Sequence, residues 1–260
     1  MKWCRFESED GPAYGIIEGE QIFPVTGSPF GSHVKAKQGL PLKKTKLLVP
    51  VIPPTFYAAG VNFREHVIEV AKKKGIEPKF PPEADVGYRA NNALIADGET
   101  IMIPKDASEV VQYEGELVAV IGKTCRKVTE AQALDYVFGY TIGNDMSERN
   151  WQRNDRTMWR AKNSDTFKPM GPWIVTGLDP ATLEVAIRVN GRQVSTYRIA
   201  DAIYSLQTFI SRMSQYLTLH PGDVLWLGTD GAPENVKHGD MIEIEIPGIG
   251  VLRNPVVREP

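Results

Sequence analysis

The segment VVQYEGELVAVIGK, residues 110–123, limits the possible folds more than any other stretch of the chain. Its second half is apolar and β-branched, which is typical of a strand in the core of a sheet. Because side chains alternate between the two faces of a strand, Glu114 and Glu116 point the same way as the valines that follow them. The chain therefore places two carboxylates at the start of a strand face that leads into the core.

Two acids on one strand face repel each other, and burying either without a partner is unfavourable. A hard divalent cation such as Mg²⁺ resolves both problems, because it binds carboxylate oxygens and leaves its other positions to water or substrate. The same spacing also fits a solvent-exposed strand end, or two acids that pair with arginines. The pair alone leaves the cation site and these structural alternatives open.

Short strands separated by turns are predicted over most of the chain. Residues 1–50 begin with three of them, KWCRF, AYGIIEG and EQIFPV, which indicates a small β-rich N-terminal domain. Residues 51–260 are expected to form a second, larger domain, in which Asn190 and Gly191 favour a tight hairpin turn. Because helices and strands do not alternate regularly, the pattern predicts an α+β fold dominated by antiparallel strands.

Three helices interrupt the predicted strands. The segment REHVIEVAKKK is amphipathic and is expected to end at Gly75. Thr129 and Gln132 have the spacing of a capping box, which predicts a helix that begins there and ends at Gly139. The segment IYSLQTFISRMSQYL has apolar residues at helical spacing and predicts the longest helix.

The composition excludes several classes of function. A formal net charge of -2 provides no general attraction to nucleic acid or to an anionic membrane. The N-terminal segment MKWCRFESEDG becomes acidic where a secretory signal is apolar, so a cytoplasmic protein is expected. Cys4 and Cys125 have neither metal-ligand spacing nor the density of a disulfide scaffold, and we interpret both as free thiols.

A third acid, Asp145, ends the predicted strand in GYTIGNDMSERNWQ. An aspartate before a helix is often an N-cap, and that interpretation stays open here. Arg149 and Gln152 follow at a spacing that places them on one helical face. An acid, a cation and an amide aligned in this way suit a site that holds both a metal and an anionic ligand.

Five segments in the same order give the chain a specific resemblance: YEGELVAVIGK, GYTIGNDMSERNWQ, RAKNSDTFKPMGPWIVT, LTLHPGDVLWLGT and GDMIEIEIPGIGVLRNPV. Together they resemble the fumarylacetoacetate hydrolase family over roughly residues 55–258. The resemblance implies a catalytic domain with that family's mixed β-sandwich roll. It also implies that Glu114, Glu116 and Asp145 bind Mg²⁺ or Mn²⁺.

The resemblance implies further catalytic residues. Lys162 is expected to stabilise the charge that develops on a ketone or enolate oxygen. His66 and Glu69 are three apart on a predicted helix and are expected to activate water, with the carboxylate orienting the imidazole. Taken alone, Lys162 suits a surface position and His66 suits a structural or exposed one. Four side chains are expected to bind the substrate: Arg89, Arg149, Gln152 and Thr229.

The chain departs from the family pattern at three positions. Arg89 stands where relatives often have lysine, and Phe63 stands where tyrosine is common. Thr229 is followed by Asp230, where many members have proline. These differences bear on substrate choice, since arginine offers a planar, bidentate donor where lysine offers a point charge.

The expected function is metal-dependent hydrolysis of a C–C bond in a 2,4-dioxo acid, an acylpyruvate or a fumarylpyruvate-like compound, through a metal-stabilised pyruvate enolate. The alternatives on the same metal site are an oxaloacetate-type decarboxylase and a 2-hydroxyhepta-2,4-diene-1,7-dioate isomerase of aromatic catabolism. A binding protein that keeps the fold and lacks turnover is a fourth interpretation, which the intact acids and Lys162 disfavour. The resemblance also implies a homodimer.

Overall fold

The computed structural model describes residues 1–260, apart from the side chains at positions 73 and 74. Twenty strands dominate the chain. Those in the first half are β1 (Lys2–Ser8), β2 (Gly11–Glu18), β3 (Gln21–Gly27), β4 (His33–Lys35), β5 (Leu40–Pro41), β6 (Leu47–Leu48), β7 (Phe56–Ala59), β8 (Val86–Tyr88), β9 (Leu94–Ile95), β10 (Ile101–Ile103), β11 (Val111–Gln112) and β12 (Gly115–Ile121). Those in the second half are β13 (Val137–Asn144), β14 (Ser147–Glu148), β15 (Lys168–Val175), β16 (Glu184–Val189), β17 (Arg192–Arg198), β18 (Val224–Trp226), β19 (Met241–Ile246) and β20 (Gly250–Arg258).

Four α-helices connect the strands: α1 (Arg64–Lys74), α2 (Glu130–Ala133), α3 (Arg149–Gln152) and α4 (Leu206–Tyr216). Five single-turn 3₁₀ helices cover Leu42–Lys44, Asn91–Ala93, Leu134–Tyr136, Pro180–Thr182 and Ile199–Asp201. Among the described residues, no helix is both long enough and apolar enough to cross a membrane.

Most strands form two large sheets that pack against each other, and β11 and β14 form a separate two-stranded sheet. The larger sheet has the order β4-β3-β2-β1-β15-β13-β12-β18-β7-β8, with three short strands beside this path. The second sheet has the order β10-β20-β19-β16-β17. Apolar side chains of β12, β16 and β19, including Leu117, Ile187 and Ile244, share one buried cluster between the sheets. This arrangement confirms the α+β, β-dominated sandwich that the sequence predicts.

The strand β12 lies in the middle of the larger sheet and is buried on both faces. Its residues alternate as predicted, because Leu117 and Ala119 belong to the cluster between the sheets whereas Val118 and Val120 pack with Trp226 on the opposite face. The neighbours β13 and β18 both run antiparallel to it. The two acids therefore stand at the head of the most enclosed strand of the molecule.

The N-terminal region extends the larger sheet. The three strands predicted at the start of residues 1–50 are present as β1, β2 and β3. Strand β1 pairs with β15 through Lys2 opposite Val175 and Trp3 opposite Ile174, so the sheet continues across both parts of the chain. A division of the chain into domains 1–50 and 51–260 stays a prediction.

The helices and turns follow the sequence pattern in two cases and depart from it in one. Helix α1 ends at Gly75, whose φ of 64° is the left-handed conformation expected there. Asn190 and Gly191 form the predicted hairpin turn, with φ of 52° and 76°. The helix predicted to run to Gly139 is wrong in length, because Gly139 lies in β13 and pairs with Val120 of the central strand.

Candidate active site

Three buried carboxylates meet where two central strands come together. One oxygen from each of Glu114, Glu116 and Asp145 lies within 4.8 Å of the others. Glu114 precedes β12 and Asp145 follows β13, and the antiparallel pairing of Gly115 with Asn144 brings these two strand ends side by side. The backbone N–H of Asp145 donates to the carbonyl of Glu114 at 2.8 Å, which fixes the two chain segments to each other.

Neither structural alternative, a solvent-exposed strand end or pairing with arginines, describes both glutamates. Glu114 and Glu116 are 5% and 2% exposed, so neither marks a solvent-exposed strand end. Glu114 does pair with an arginine, since Arg149 Nη2 lies 2.6 Å from its Oε1. Glu116 makes no ion pair among the described side chains and accepts one hydrogen bond, from the backbone N–H of Gly228 at 2.8 Å.

The alternative that Asp145 is a helix N-cap is wrong. Glu148 holds that position at the start of α3, where its carboxylate accepts a hydrogen bond from the backbone N–H of Trp151. Asp145 lies two residues before β14 and turns its carboxylate into the cluster instead. Arg149 and Gln152 do lie on one face of α3, and Arg149 Nη1 donates to Gln152 Oε1 at 2.9 Å.

Three cations surround Asp145. Arg89 Nη2 lies 2.9 Å from Oδ2, and its Nε lies 3.2 Å from Oδ1. Lys162 Nζ lies 2.7 Å from Oδ2, and Lys168 Nζ lies 2.7 Å from Oδ1. Burial opposes ionisation of this carboxyl group, but the charges of Arg89, Lys162 and Lys168 outweigh it and hold the pKa of Asp145 well below its usual range.

The pKa values of the two glutamates are shifted in opposite directions. Burial raises the pKa of Glu114, but Lys162 and Arg149 more than offset it, so the pKa is lowered. Lys162 Nζ donates to Glu114 Oε2 at 2.6 Å. For Glu116, burial and then the negative charges of Asp145 and Glu114 raise the pKa to about 8. Glu116 thus lacks a cationic partner of the kind that Glu114 and Asp145 each have.

The donor set fits a hard divalent cation. Carboxylate oxygens are the ligands that Mg²⁺ and Mn²⁺ prefer, and three of them converge here. A cation bound between them would stabilise the ionised form of Glu116, whose pKa is raised by burial and then by repulsion from Asp145 and Glu114. Glu114, Glu116 and Asp145 are therefore able to hold such an ion in their present positions.

Lys168 was not among the residues that the sequence indicates for this site. It is fully buried, and its Nζ also donates to the backbone carbonyls of Phe167 and Met146 at 2.8 and 3.1 Å. Burial lowers the pKa of Lys168 to about 8, and Asp145 opposes that shift. The available signal is a lysine inside the otherwise apolar segment TFKPMGPWIV, where a charged side chain needs a partner. Lys162 is likewise buried, contrary to the surface position that it suits in isolation.

His66, Glu69 and Thr229 lie on the side of the cluster formed by α1 and the segment after β18. His66 is half-buried, and burial lowers the pKa of its imidazole. The ring stands against Gly231, three residues after Gly228, whose backbone N–H donates to Glu116, and the charges of Glu114, Arg149 and Lys162 act on its pKa. Glu69 is exposed on α1 and raises the pKa of His66. Thr229 is buried, and its hydroxyl accepts the backbone N–H of Gly231 at 3.3 Å.

Arg89 connects the cluster to an open cavity of about 860 Å³. Its guanidinium binds Asp145, and the same residue lines the cavity wall. The rest of that wall is mixed and includes the aromatic Tyr88 and Trp159, the cationic Arg160 and the acidic Asp165 and Glu259. The cavity has room for a small organic acid next to Arg89.

Two family descriptions match the chain. Residues 55–257 match the family described as fumarylacetoacetate (FAA) hydrolase, C-terminal, and residues 1–50 match the one described as Rv2993c-like, N-terminal. Protein Rv2993c of Mycobacterium tuberculosis is 37% identical over 100% of this chain and 99% of its own length. The 4-hydroxyphenylacetate degradation bifunctional isomerase/decarboxylase of Escherichia coli is 37% identical over 98% of this chain and 58% of its own length.

Solved structures resemble the whole chain. The 5-carboxymethyl-2-hydroxymuconate delta-isomerase from Mycobacterium smegmatis has a TM-score of 0.90 at 36% identity, with both chains fully covered. The maleylpyruvate hydrolase from Sphingobium sp. SYK-6, in complex with manganese(II) ion and pyruvate, has a TM-score of 0.80 at 26% identity, again with both chains fully covered. With a family match over most of its length and relatives above one-third identity, the chain belongs to the fumarylacetoacetate hydrolase family.

Proposed function

We propose that this enzyme hydrolyses a C–C bond in a 2,4-dioxo acid of the acylpyruvate or fumarylpyruvate type. The observation that carries the proposal is the position of His66, half-buried beside the acid cluster and on the same helix as Glu69. Hydrolysis needs a base that activates water, and a neutral imidazole supported by a carboxylate suits that role. Decarboxylation and isomerisation need no such base for water.

Glu114, Glu116 and Asp145 would hold the divalent cation, Mg²⁺ or Mn²⁺, that the reaction uses. The support is the convergence of three buried carboxylates and the raised pKa of Glu116. When bound, such a cation polarises the keto oxygen of the substrate and offsets the negative charge that develops there. The manganese and pyruvate in the hydrolase from Sphingobium sp. SYK-6 accord with this assignment.

The cationic side chains bind and orient the substrate. Arg149 is held in place, because its Nε donates to Gln112 at 2.7 Å and its Nη1 donates to Gln152. This fixed guanidinium binds the 2-oxo acid carboxylate, and Gln152 adds an amide beside it. Lys162 and Thr229 donate to the oxygen on which enolate charge accumulates.

His66 takes the proton of the attacking water, and Glu69 orients the imidazole and stabilises its charged form. The oxygen of that water bonds to the distal keto carbon, and the bond from this carbon to the methylene carbon then breaks. The electron pair of the broken bond forms a pyruvate enolate, and the proton held on His66 returns to its carbon. The products are one carboxylic acid and pyruvate. The lowered pKa of His66 keeps the imidazole neutral, and therefore basic, at neutral pH.

The second candidate is a decarboxylase or an isomerase that acts through the same enolate. The observation that favours it is similarity, since the bifunctional isomerase/decarboxylase and the delta-isomerase are 37% and 36% identical to this chain whereas the maleylpyruvate hydrolase is 26% identical. Arg89 and the cavity beside it suit the second carboxylate of a dioic acid substrate in either case.

Pyruvate formation separates the two candidates. The purified protein is freed of metal, supplied with Mg²⁺ or Mn²⁺, and incubated with acetylpyruvate or with oxaloacetate. We expect metal-dependent release of pyruvate and acetate from acetylpyruvate. Turnover of oxaloacetate alone would assign a decarboxylase, and no turnover of either compound would favour an isomerase of a larger dioic acid. A failure to bind either metal would instead favour a protein without turnover.

The homodimer that the family resemblance implies, and the cytoplasmic location expected from the N-terminal segment, stay part of the proposal. Light scattering of the eluted protein gives the mass of the assembly, which we expect to be twice the chain mass of 28.9 kDa. Cell fractionation followed by detection of the native protein tests the location.

A further inference from the structure

The start of α1 is fastened to the core by the two residues that precede it. Asn62 Nδ2 donates to the carbonyls of Leu227 and Tyr204 at 3.0 and 3.2 Å, and the backbone N–H of Tyr204 donates to Asn62 Oδ1 at 3.0 Å. Phe63 is 1% exposed and packs edge-to-face on Tyr197, with ring centroids 4.8 Å apart. His66 follows within the first turn, so its backbone position is set by contacts with the core.

Gly231 makes the space that the His66 ring occupies. A Cβ atom built on Gly231 would lie 2.5 Å from His66 Nδ1 and 3.2 Å from Cε1, which is closer than real Cβ contacts allow. The contact is with the end of a movable side chain, so a larger residue at this position displaces the ring and leaves the backbone in place. Gly231 also has a φ of 104°, which favours glycine.

Asp230 interacts with the first turn of α1, the turn that carries His66, although it is not part of that helix. Phe63, the N-cap of α1, has no side-chain hydrogen bond to the exposed N–H groups. The backbone of His66 lowers the pKa of the Asp230 carboxyl group, which places that group near the start of the helix. Burial and the nearby carboxylates of Glu65 and Glu69 act the other way and raise the pKa of Asp230 to about 6. A carboxylate at the N-terminus of a helix stabilises that end of the helix.

We propose that residues 229–231, here named the docking loop, position the His66 imidazole for water activation, with Gly231 providing room for the ring and Asp230 placing a negative charge near the start of its helix. The inference rests on the proposed hydrolase function and adds two positioning residues to it. Both residues act on His66 and take no direct part in binding the metal or the substrate.

The test compares two glycine variants that carry the same backbone strain. Gly231→Ala places a methyl group against His66 at φ 104°, whereas Gly11→Ala places one at φ 103° with nothing within 4 Å. Asp230→Ala is a second variant, which removes the carboxylate and leaves the room for the ring unchanged. Four quantities are measured for each variant: kcat and KM for acetylpyruvate hydrolysis, Mn²⁺ affinity by calorimetric titration, and the nuclear Overhauser effect between the His66 ring and residue 231.

We expect Gly231→Ala to lower kcat by about a hundred-fold, since a displacement of about 1 Å at a catalytic group has effects of that size. KM and Mn²⁺ affinity are expected to stay at the wild-type values, and Gly11→Ala is expected to change none of the four. Asp230→Ala is expected to lower kcat by a smaller factor. An unchanged kcat in Gly231→Ala, or an equal loss of Mn²⁺ affinity, would overturn the inference.

The Overhauser measurement separates this inference from the function on which it rests. It is made on wild-type protein freed of metal, with the His66 resonances assigned by their loss in His66→Gln. A cross-peak between the imidazole and the Gly231 Hα protons is expected even if the enzyme hydrolyses no dioxo acid. If that cross-peak is missing, the docking loop is wrong whatever the substrate proves to be.

Discussion

The acid cluster and the His66 helix lie side by side but have very different support from the fold. Glu114, Glu116 and Asp145 stand at the ends of paired central strands, and every residue of β12 is buried. Helix α1 buries only Val67 and Ala71 among its described side chains. The acids are thus held by the whole sandwich, whereas His66 depends on a few contacts at the first turn of one helix.

This difference suits the division of roles in the proposed reaction. Cation ligands need fixed distances, which strands in the core provide. A base that serves only hydrolysis can sit on a separately supported helix, so that its loss leaves the cation site intact. The comparison therefore predicts that changes in the two regions separate into distinct measurable effects.

The largest effect is expected from Glu116→Gln. The variant keeps the shape of the side chain but removes a ligand charge, so Mn²⁺ affinity is expected to fall by more than about a hundred-fold and all metal-dependent turnover with it. The metal-free variant is expected to unfold at a higher temperature than wild type, because it no longer buries a charged carboxylate beside Asp145 and Glu114, the two causes that raise the pKa of Glu116. Titration calorimetry and thermal denaturation measure both changes. The exposed Glu130→Gln serves as control, and an unchanged affinity in Glu116→Gln would remove Glu116 from the ligand set.

The next effect is expected from His66→Ala, and it is confined to hydrolysis. Loss of a general base typically lowers kcat by about 10²- to 10⁴-fold. Mn²⁺ affinity is expected to equal that of wild type, because His66 is outside the acid cluster. The control is His220→Ala, which changes an exposed histidine. Hydrolysis at the wild-type rate in His66→Ala would assign water activation to another group.

Lys168→Met tests how far the buried ion pair between Lys168 and Asp145 stabilises the acid cluster. Methionine fills most of the volume but leaves the Met146 carbonyl without its donor, whereas the Phe167 carbonyl still accepts the backbone N–H of Met146, so the free energy of unfolding is expected to fall by about 1–3 kcal/mol. Asp145 keeps Arg89 and Lys162, and a moderate loss of Mn²⁺ affinity follows from its freer carboxylate. Urea denaturation gives the energy. The exposed Lys43→Met is the control, and equal stability of the two variants would contradict a structural role for Lys168.

The parts of the site that the sequence predicts are those that local pattern determines. Alternation along one strand places Glu114 and Glu116 together, and the hairpin at Asn190 and Gly191 follows from turn chemistry. The grouping with Asp145 needs the pairing of β12 with β13, which the sequence alone does not specify. The family resemblance supplied that link.

Contacts between distant segments account for what the sequence did not predict. The α-helix expected to reach Gly139 stops at Ala133, and a 3₁₀ turn over Leu134–Tyr136 follows it. From Val137 onward the chain pairs with the central strand, which ends the helical run. Asp145 is drawn into the cluster by cations from other elements, and Glu148 takes the N-cap position. Lys168 partners Asp145, 23 positions earlier in the chain, so no local pattern indicates the contact.

The smallest effect is expected from Glu69→Gln, and it sharpens the role of the helix. Burial lowers the pKa of His66 and Glu69 raises it, so removal of the Glu69 charge is expected to lower the imidazole pKa further. The acidic limb of the kcat profile should then move to lower pH, because the base stays neutral over a wider range. At its optimum the variant is expected to lose about ten-fold in kcat, since a weaker base takes the proton less readily. The exposed Glu77→Gln is the control. If the acidic limb does not move, Glu69 stabilises the helix α1 and does not change the pKa of the imidazole.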